Sequence, residues 1–282
     1  MNQQETRQYF DYHNSNMKLL KIGYNEIRNQ IKSFYRTINN NGVLIYSLPD
    51  NNSQKIELRE KEKSFSRILS GIQVSWAEES LKRILYEKDF LNDVQRNHIL
   101  NKPLDQKWLE TFKIAYCIAY DLVPSNNDIC NGVNIKRERN NLGDELVDQY
   151  LSLRKIITSH LTPNFGIRNK VQHGEWTYAF KPPISEEYSQ SWTDKINSEN
   201  IITTTSRYTI VNAVYNMIVD LGRFKSDSFA IDSITTPFEY FYENYMQKIE
   251  HEVEKIDNCD LDKFIDEIVQ KEIRGIEYRK RK

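Results

Sequence analysis

The sequence predicts an all-α protein, on three observations. Its 282 residues include only nine glycines and seven prolines, few turn-makers for a sheet-rich chain. Leu, Ile, Lys and Glu are abundant, a composition that favours helix. Apolar residues also recur three and four positions apart along most of the chain, the spacing of a helix with one buried face. A chain of this length fits one large helical domain, or a core domain with appendages, and can bury a substantial core.

Residues 5–37 read as one long helix, with Phe10, Met17, Leu20, Ile22, Ile27, Ile31 and Phe34 at near-helical spacing. The Asn-Asn-Asn-Gly run at 39–42 ends it. Two β-prone segments, 42–48 and 55–58, flank Pro49-Asp50-Asn51-Asn52 and predict a small hairpin. A second helix is expected over 65–90. Val74, Ala77, Leu81, Ile84 and Leu85 form its apolar stripe, with Trp76, Glu78 and Glu79 beside it. A third begins near Pro103, proline being well tolerated in a first turn, and carries Trp108, Phe112, Ile114, Ala115, Ala119 and Leu122. The polar stretch 124–141 is long for a compact domain and reads as a functional or mobile loop.

A fourth helix covers 142–159, with Leu146, Tyr150, Leu153 and Ile157 on one face. Thr162, Pro163 and Gly166 are expected to break it, and Lys181-Pro182-Pro183 to stop any helix further on. Periodic segments at 200–224, 237–256 and 261–278 predict the remaining helices. The basic end, Tyr278 to Lys282, reads as solvated, with nucleic-acid contact as the sharper alternative.

Composition narrows the functional classes. The formal net charge is −1, so any nucleic-acid contact must come from a local patch. Cys117, Cys130 and Cys259 are too few and too scattered for a disulfide framework or a zinc site, and Cys117 reads as a small core residue. The Asp/Glu pairs read as solvated helix faces, and no metal or other cofactor is expected. No apolar stretch approaches membrane-spanning length, and the opening residues MNQQETRQYFDYH hold no secretory segment, so a cytoplasmic location is expected with no membrane contact.

The chemistry concentrates in the stretch 165–180, FGIRNKVQHGEWTYAF. Arg168 and His173 are separated by four residues, but spacing alone does not single them out. Arg7 and His13, and Arg154 and His160, are each separated by five. Those two pairs fall inside predicted helices, where residues six apart are rotated by about 240° and face different ways. Arg168 and His173 follow the expected Pro/Gly break, which places them near the start of a helix where the arginine can swing toward the imidazole. Asn169 and His173 are four apart and share a face, and Gly174 lets the backbone turn away. Histidine titrates near neutrality and serves as general acid or base. Arginine stays charged and offers a planar fork to phosphate oxygens.

The string RNKVQHG resembles the motif of the HEPN superfamily, all-helical domains found in many prokaryotic toxins and phage-defence proteins. The resemblance extends more loosely to the Trp-Ala-Glu-Glu helix at 76–79, the Trp108 helix and the helices either side of the motif. It covers roughly 66–250 as a HEPN-like core. That leaves 1–65 as an N-terminal helix with a possible hairpin and 251–282 as a C-terminal helix and basic tail. It implies a metal-independent endoribonuclease, with Arg168 and His173 as the catalytic pair and Asn169 in support. It also implies a homodimer with a composite cleft on RNA. A toxin of this kind commonly needs an antitoxin or sensor partner. Cleavage would proceed by 2′-hydroxyl attack on the adjacent phosphorus, leaving a 2′,3′-cyclic phosphate and a 5′-hydroxyl. Arg154, Lys155, Lys170 and Lys181 are the cations available for a positive groove.

Plainer readings stand beside these. His173 also reads as a helix-capping residue and Arg168 as a surface or ion-pair arginine. A HEPN-like bundle can also serve as a non-catalytic module that binds RNA or protein. Trp176, Tyr178 and Phe180 read as core anchors rather than base-stacking platforms. Glu78 and Glu79 read as a solvated edge, with orientation of His173 as the alternative.

Overall fold

The computed structural model describes residues 2–88, 90–122, 133–181, 187–223 and 237–280. Among these residues the chain is all-α, with no strand or sheet. Isolated bridges join only Ile38 to Leu44 and Phe180 to Tyr188. The long helices follow the apolar periodicity. They are α1 (Gln3–Phe34), α2 (Ser53–Leu85), α4 (Leu104–Ala119), α6 (Asp144–Ile156), α9 (Ile201–Arg223), α10 (Pro237–Asp257) and α11 (Leu261–Lys280). The short helices α3 (Asp93–Leu100), α5 (Arg139–Leu142) and α8 (Gln190–Asn197) are too brief to carry a recognisable stripe. Of the expected loop at 124–141, residues 124–132 lie outside the described residues, as do Cys130, Pro182, Pro183 and the last two of the basic end.

The expected hairpin does not form. Leu44, Ile45 and Tyr46 are buried in a single 3₁₀ turn, which explains their apolar, β-like composition. The polar run after it starts a helix instead of reversing a strand. Asn52 Oδ1 accepts the backbone N–H of Gln54 (3.0 Å) and Lys55 (3.2 Å), so α2 begins twelve residues earlier than expected. Lys55 then ties back to Leu48 O at 2.8 Å.

The chain divides into two compact units. One comprises Met1–Leu19, Val74–Gly166 and Arg207–Glu252. Its core is built on α4, where Trp108, Phe112, Ile114, Ala115, Tyr116 and Cys117 are fully buried. Phe112 stacks on Tyr150 at 4.9 Å, and Tyr116 donates to Leu146 O at 2.7 Å. The stripe Val74, Ala77, Leu81, Ile84 and Leu85 is buried as expected. Gly222 allows a close approach, since a Cβ there would stand 2.5 Å from the Phe90 ring. Arg96 closes the turn between α2 and α3, donating to Leu85 O at 2.8 Å and Leu91 O at 3.0 Å.

The other unit comprises Leu20–Gln73, Ile167–Ser206 and Val253–Lys282. Tyr24, Ile31 and Phe34 of α1, and Tyr35 just after it, are buried in it with Leu58 and Leu69 of α2. Tyr35 packs edge-on to Tyr46 and Phe264. Glu62 is buried beside this cluster and accepts a hydrogen bond from Ser66 Oγ at 3.1 Å. Burial pushes its carboxyl above the ordinary range, and the Ser66 bond with the Lys63 and Arg67 charges offsets only part of that.

Two measurements check these packing arguments. Asn200 caps α9 through Oδ1, which accepts from Ile202 (2.9 Å) and Thr203 (3.1 Å). Asn200→Ala is expected to cost about 1 kcal/mol in urea unfolding, and Asn200→Gly only a few tenths. Glu62 has a raised folded-state pKa, so its contribution favours folding below the ordinary carboxylate range and is lost as pH rises through the raised value. Glu62→Gln keeps an acceptor for Ser66, and is expected to unfold at higher temperature than wild type at neutral pH. That advantage should shrink as both are acidified.

Candidate active site

The motif is delivered by a helical path that the sequence reading had broken. From Ile156 the chain passes through one π turn (Ile157–Leu161) into α7 (Thr162–Gln172) without interruption. Pro163 has no N–H to donate, and the widened turn before it takes up the mismatch. Asn164 Nδ2 restores a bond by donating to His160 O at 2.7 Å. Arg168 and Asn169 therefore lie in the last turns of a helix and His173 just past its end, not at a helix start.

That end is a Schellman closure. His173 is the C-cap residue, its N–H on Asn169 O at 3.1 Å. Gly174 follows with φ +83°, in the left-handed region where a Cβ is unfavourable. Its N–H reaches Val171 O at 3.1 Å, and the Glu175 N–H reaches Lys170 O at 3.0 Å. The two residues that this motif brings together, Lys170 and Glu175, form an ion pair at 3.0 Å with side chains 13% and 15% exposed. Glu175 also accepts the Phe180 N–H at 2.7 Å, Lys170 donates to Phe180 O, and Trp176 Nε1 donates to Val171 O at 2.9 Å. Residues 174–180 are thus folded back on the helix end.

This corrects two expectations. Lys170 and Lys181 do not supply a free positive groove, because Lys170 is held by Glu175 and Lys181 by Glu187. Nor is Tyr178 a core anchor. It is 62% exposed and meets Tyr188 edge-on, Trp176 and Phe180 are only half-buried, and the buried residue of this run is Ala179.

Among the motif residues, Arg168 is half-buried and its Nη1 donates to Asn169 Oδ1 at 3.1 Å. Asn169 and His173 are exposed. The imidazole of His173 makes no hydrogen bond or ion pair among the described residues. Five helical positions rotate a side chain by about 140°, no closer in direction than the pairs set aside on that ground. Arg168 and His173 therefore lie on different faces of the helix end with Asn169 between them, and the expected swing of the arginine toward the imidazole is not seen. An open imidazole can exchange a proton and a guanidinium can offset negative charge, here against the unfavourable negative end of the helix dipole.

Among the described residues, no group of three or more His, Cys, Asp or Glu is placed to hold a metal ion. No protein-family model, curated protein or solved structure matches the chain. The functional reading therefore rests on the site's own chemistry.

Arg7 and His13 have separate partners. Arg7 pairs with Asp11 at 3.3 Å, while His13 Nδ1 lies 2.9 Å from Glu79 Oε2 and stacks on Tyr86. Asn16 donates to the same carboxylate at 2.9 Å, and Lys82 to its other oxygen at 2.9 Å. Burial alone would raise the Glu79 carboxyl, but the bonds from His13, Asn16 and Lys82 together outweigh it and hold it below the ordinary range. Glu79 is therefore not a solvated edge, since it holds His13. No local pattern announces that dyad, because its members are 66 residues apart.

Gly174→Ala tests the helix closure. The added Cβ meets nothing within 4 Å, so the expected loss, about 1 kcal/mol in chemical unfolding, comes from the positive φ alone. Gly174→Asn is expected to recover part of it.

Proposed function

We propose that the chain is a metal-independent endoribonuclease whose reacting groups stand at the C-terminal end of α7. The observation that carries this reading is the open imidazole of His173, fixed at the C-cap by Gly174 a little over one turn after Arg168. In the proposed reaction His173 takes the proton from a ribose 2′-hydroxyl, which attacks the adjacent phosphorus. The P–O5′ bond breaks, leaving a 2′,3′-cyclic phosphate and a 5′-hydroxyl once the leaving oxygen is protonated. Arg168 neutralises charge on the phosphoryl oxygens, and Asn169 Oδ1 positions that guanidinium.

One imidazole cannot both remove and supply a proton in a single concerted step, so a second copy of the motif in a homodimer is part of the proposal. The biological setting that suits it is a toxin or phage-defence effector in the cytoplasm, restrained by an antitoxin or sensor. A second reading has its own support. His173 occupies a helix-capping position and Arg168 is engaged by its neighbour, as a non-catalytic RNA- or protein-binding module would allow.

Total RNA incubated with the purified protein in EDTA separates the two. Cleavage that leaves cyclic phosphate ends, and that falls by a factor on the order of 100 or more in His173→Ala and in Arg168→Ala, is the expected result. Absence of cleavage by wild type, or equal degradation by all three proteins, removes the enzyme reading. Sedimentation of wild type as a monomer at assay concentration removes the composite cleft.

A further inference from the structure

A second concavity lies within the first unit, where α4, the segment around Ile135 and α6 enclose a cavity of about 490 Å³. Lys113, Lys136 and Arg154 all line it, one from each of these three pieces of chain. None of the three has an ion pair or a side-chain hydrogen bond among the described residues. Lys61, Lys82, Arg139, Lys170 and Lys181 by contrast all sit on carboxylates, and what distinguishes Lys113, Lys136 and Arg154 is that they line one concavity. Glu110 is the one acid among the described lining residues, and it lies 3.6 Å from His98 Nε2.

Three cations lining one concavity against a single described acid, Glu110, repel one another, and an anion with several acceptor oxygens relieves that repulsion. The cavity has the volume of a small-ligand site. Leu109, Ile135, Tyr150 and Leu151 add apolar wall beside the charges, which suits a ligand with a phosphate at one end and a flat organic body at the other. We propose that this cavity binds the phosphate and base of a nucleotide, either free or as one unit of an RNA strand. None of its lining residues belongs to the α7 motif, and the proposal does not rest on cleavage there.

The test uses the full chain in low salt, titrated calorimetrically with AMP and with a 2′-O-methyl ribohexamer, which cannot be cleaved by 2′-hydroxyl attack. At least one probe is expected to bind, with affinity that falls as salt rises. Lys113→Gln, Lys136→Gln and Arg154→Gln are each expected to weaken it about tenfold. Lys18→Gln, an exposed cation outside the cavity, should leave it unchanged. Binding of AMP that the three Gln variants weaken identifies a free-nucleotide site, and binding of the hexamer alone that they weaken identifies a strand site; both uphold the proposal. No heat with either probe, or full affinity in the triple Gln variant, overturns it. Lys136 is exposed, so its variant reads the site even should the triple variant fail to fold.

Discussion

With no sheet to absorb them, the free N–H groups at the start of every helix have to be satisfied locally, and that constraint organises the chain. Short polar side chains meet it repeatedly. Asn2 and Glu5 exchange bonds at the head of α1, Asn52 opens α2, and Asn92 and Gln95 form a capping box for α3. Asn200 opens α9 and Asp260 opens α11. Asparagine thus caps α1, α2, α3 and α9, whereas α4, α6 and α8 begin without a side-chain cap.

At helix C-termini the same requirement is met from the backbone and from longer side chains. Arg96 takes carbonyls at the end of α2, and Gly174 allows the end of α7 to close on itself. The α7 closure matters most for function. It places the last helical residues, the C-cap imidazole and the returning strand of chain in one fixed arrangement. Lys170 and Glu175 lock it, and Lys170 is thereby withdrawn from the electrostatics of the motif. Positive charge for an anionic ligand then has to come from residues such as Arg168, or from cations such as Lys113, Lys136 and Arg154 that form no ion pair among the described residues.

Much of this architecture was legible before the structure. The long helices and the buried stripes on α2, α4 and α9 follow from apolar spacing, because a 3.6-residue repeat leaves few alternatives. The short helices α3 and α8 were not legible, since eight residues hold too few turns to show a period. The segment 42–58 misled in an instructive way. Its β-like residues are apolar because a 3₁₀ turn buries them, and its turn-like asparagine is a cap. Pro163 misled similarly, because a widened turn lets a helix carry a proline that would otherwise end it.

By itself, the sequence determined the helical class, the burial of the main stripes and the clustering of Arg168, Asn169, His173 and Gly174. Each depends on residues within a turn or two of one another. Only the tertiary structure decided that His173 ends a helix with its ring open, that Glu79 serves His13, and that three distant cations share a cavity. These outcomes depend on which far-apart side chains meet, and on the balance of burial against pairing at that meeting point, neither of which local spacing records.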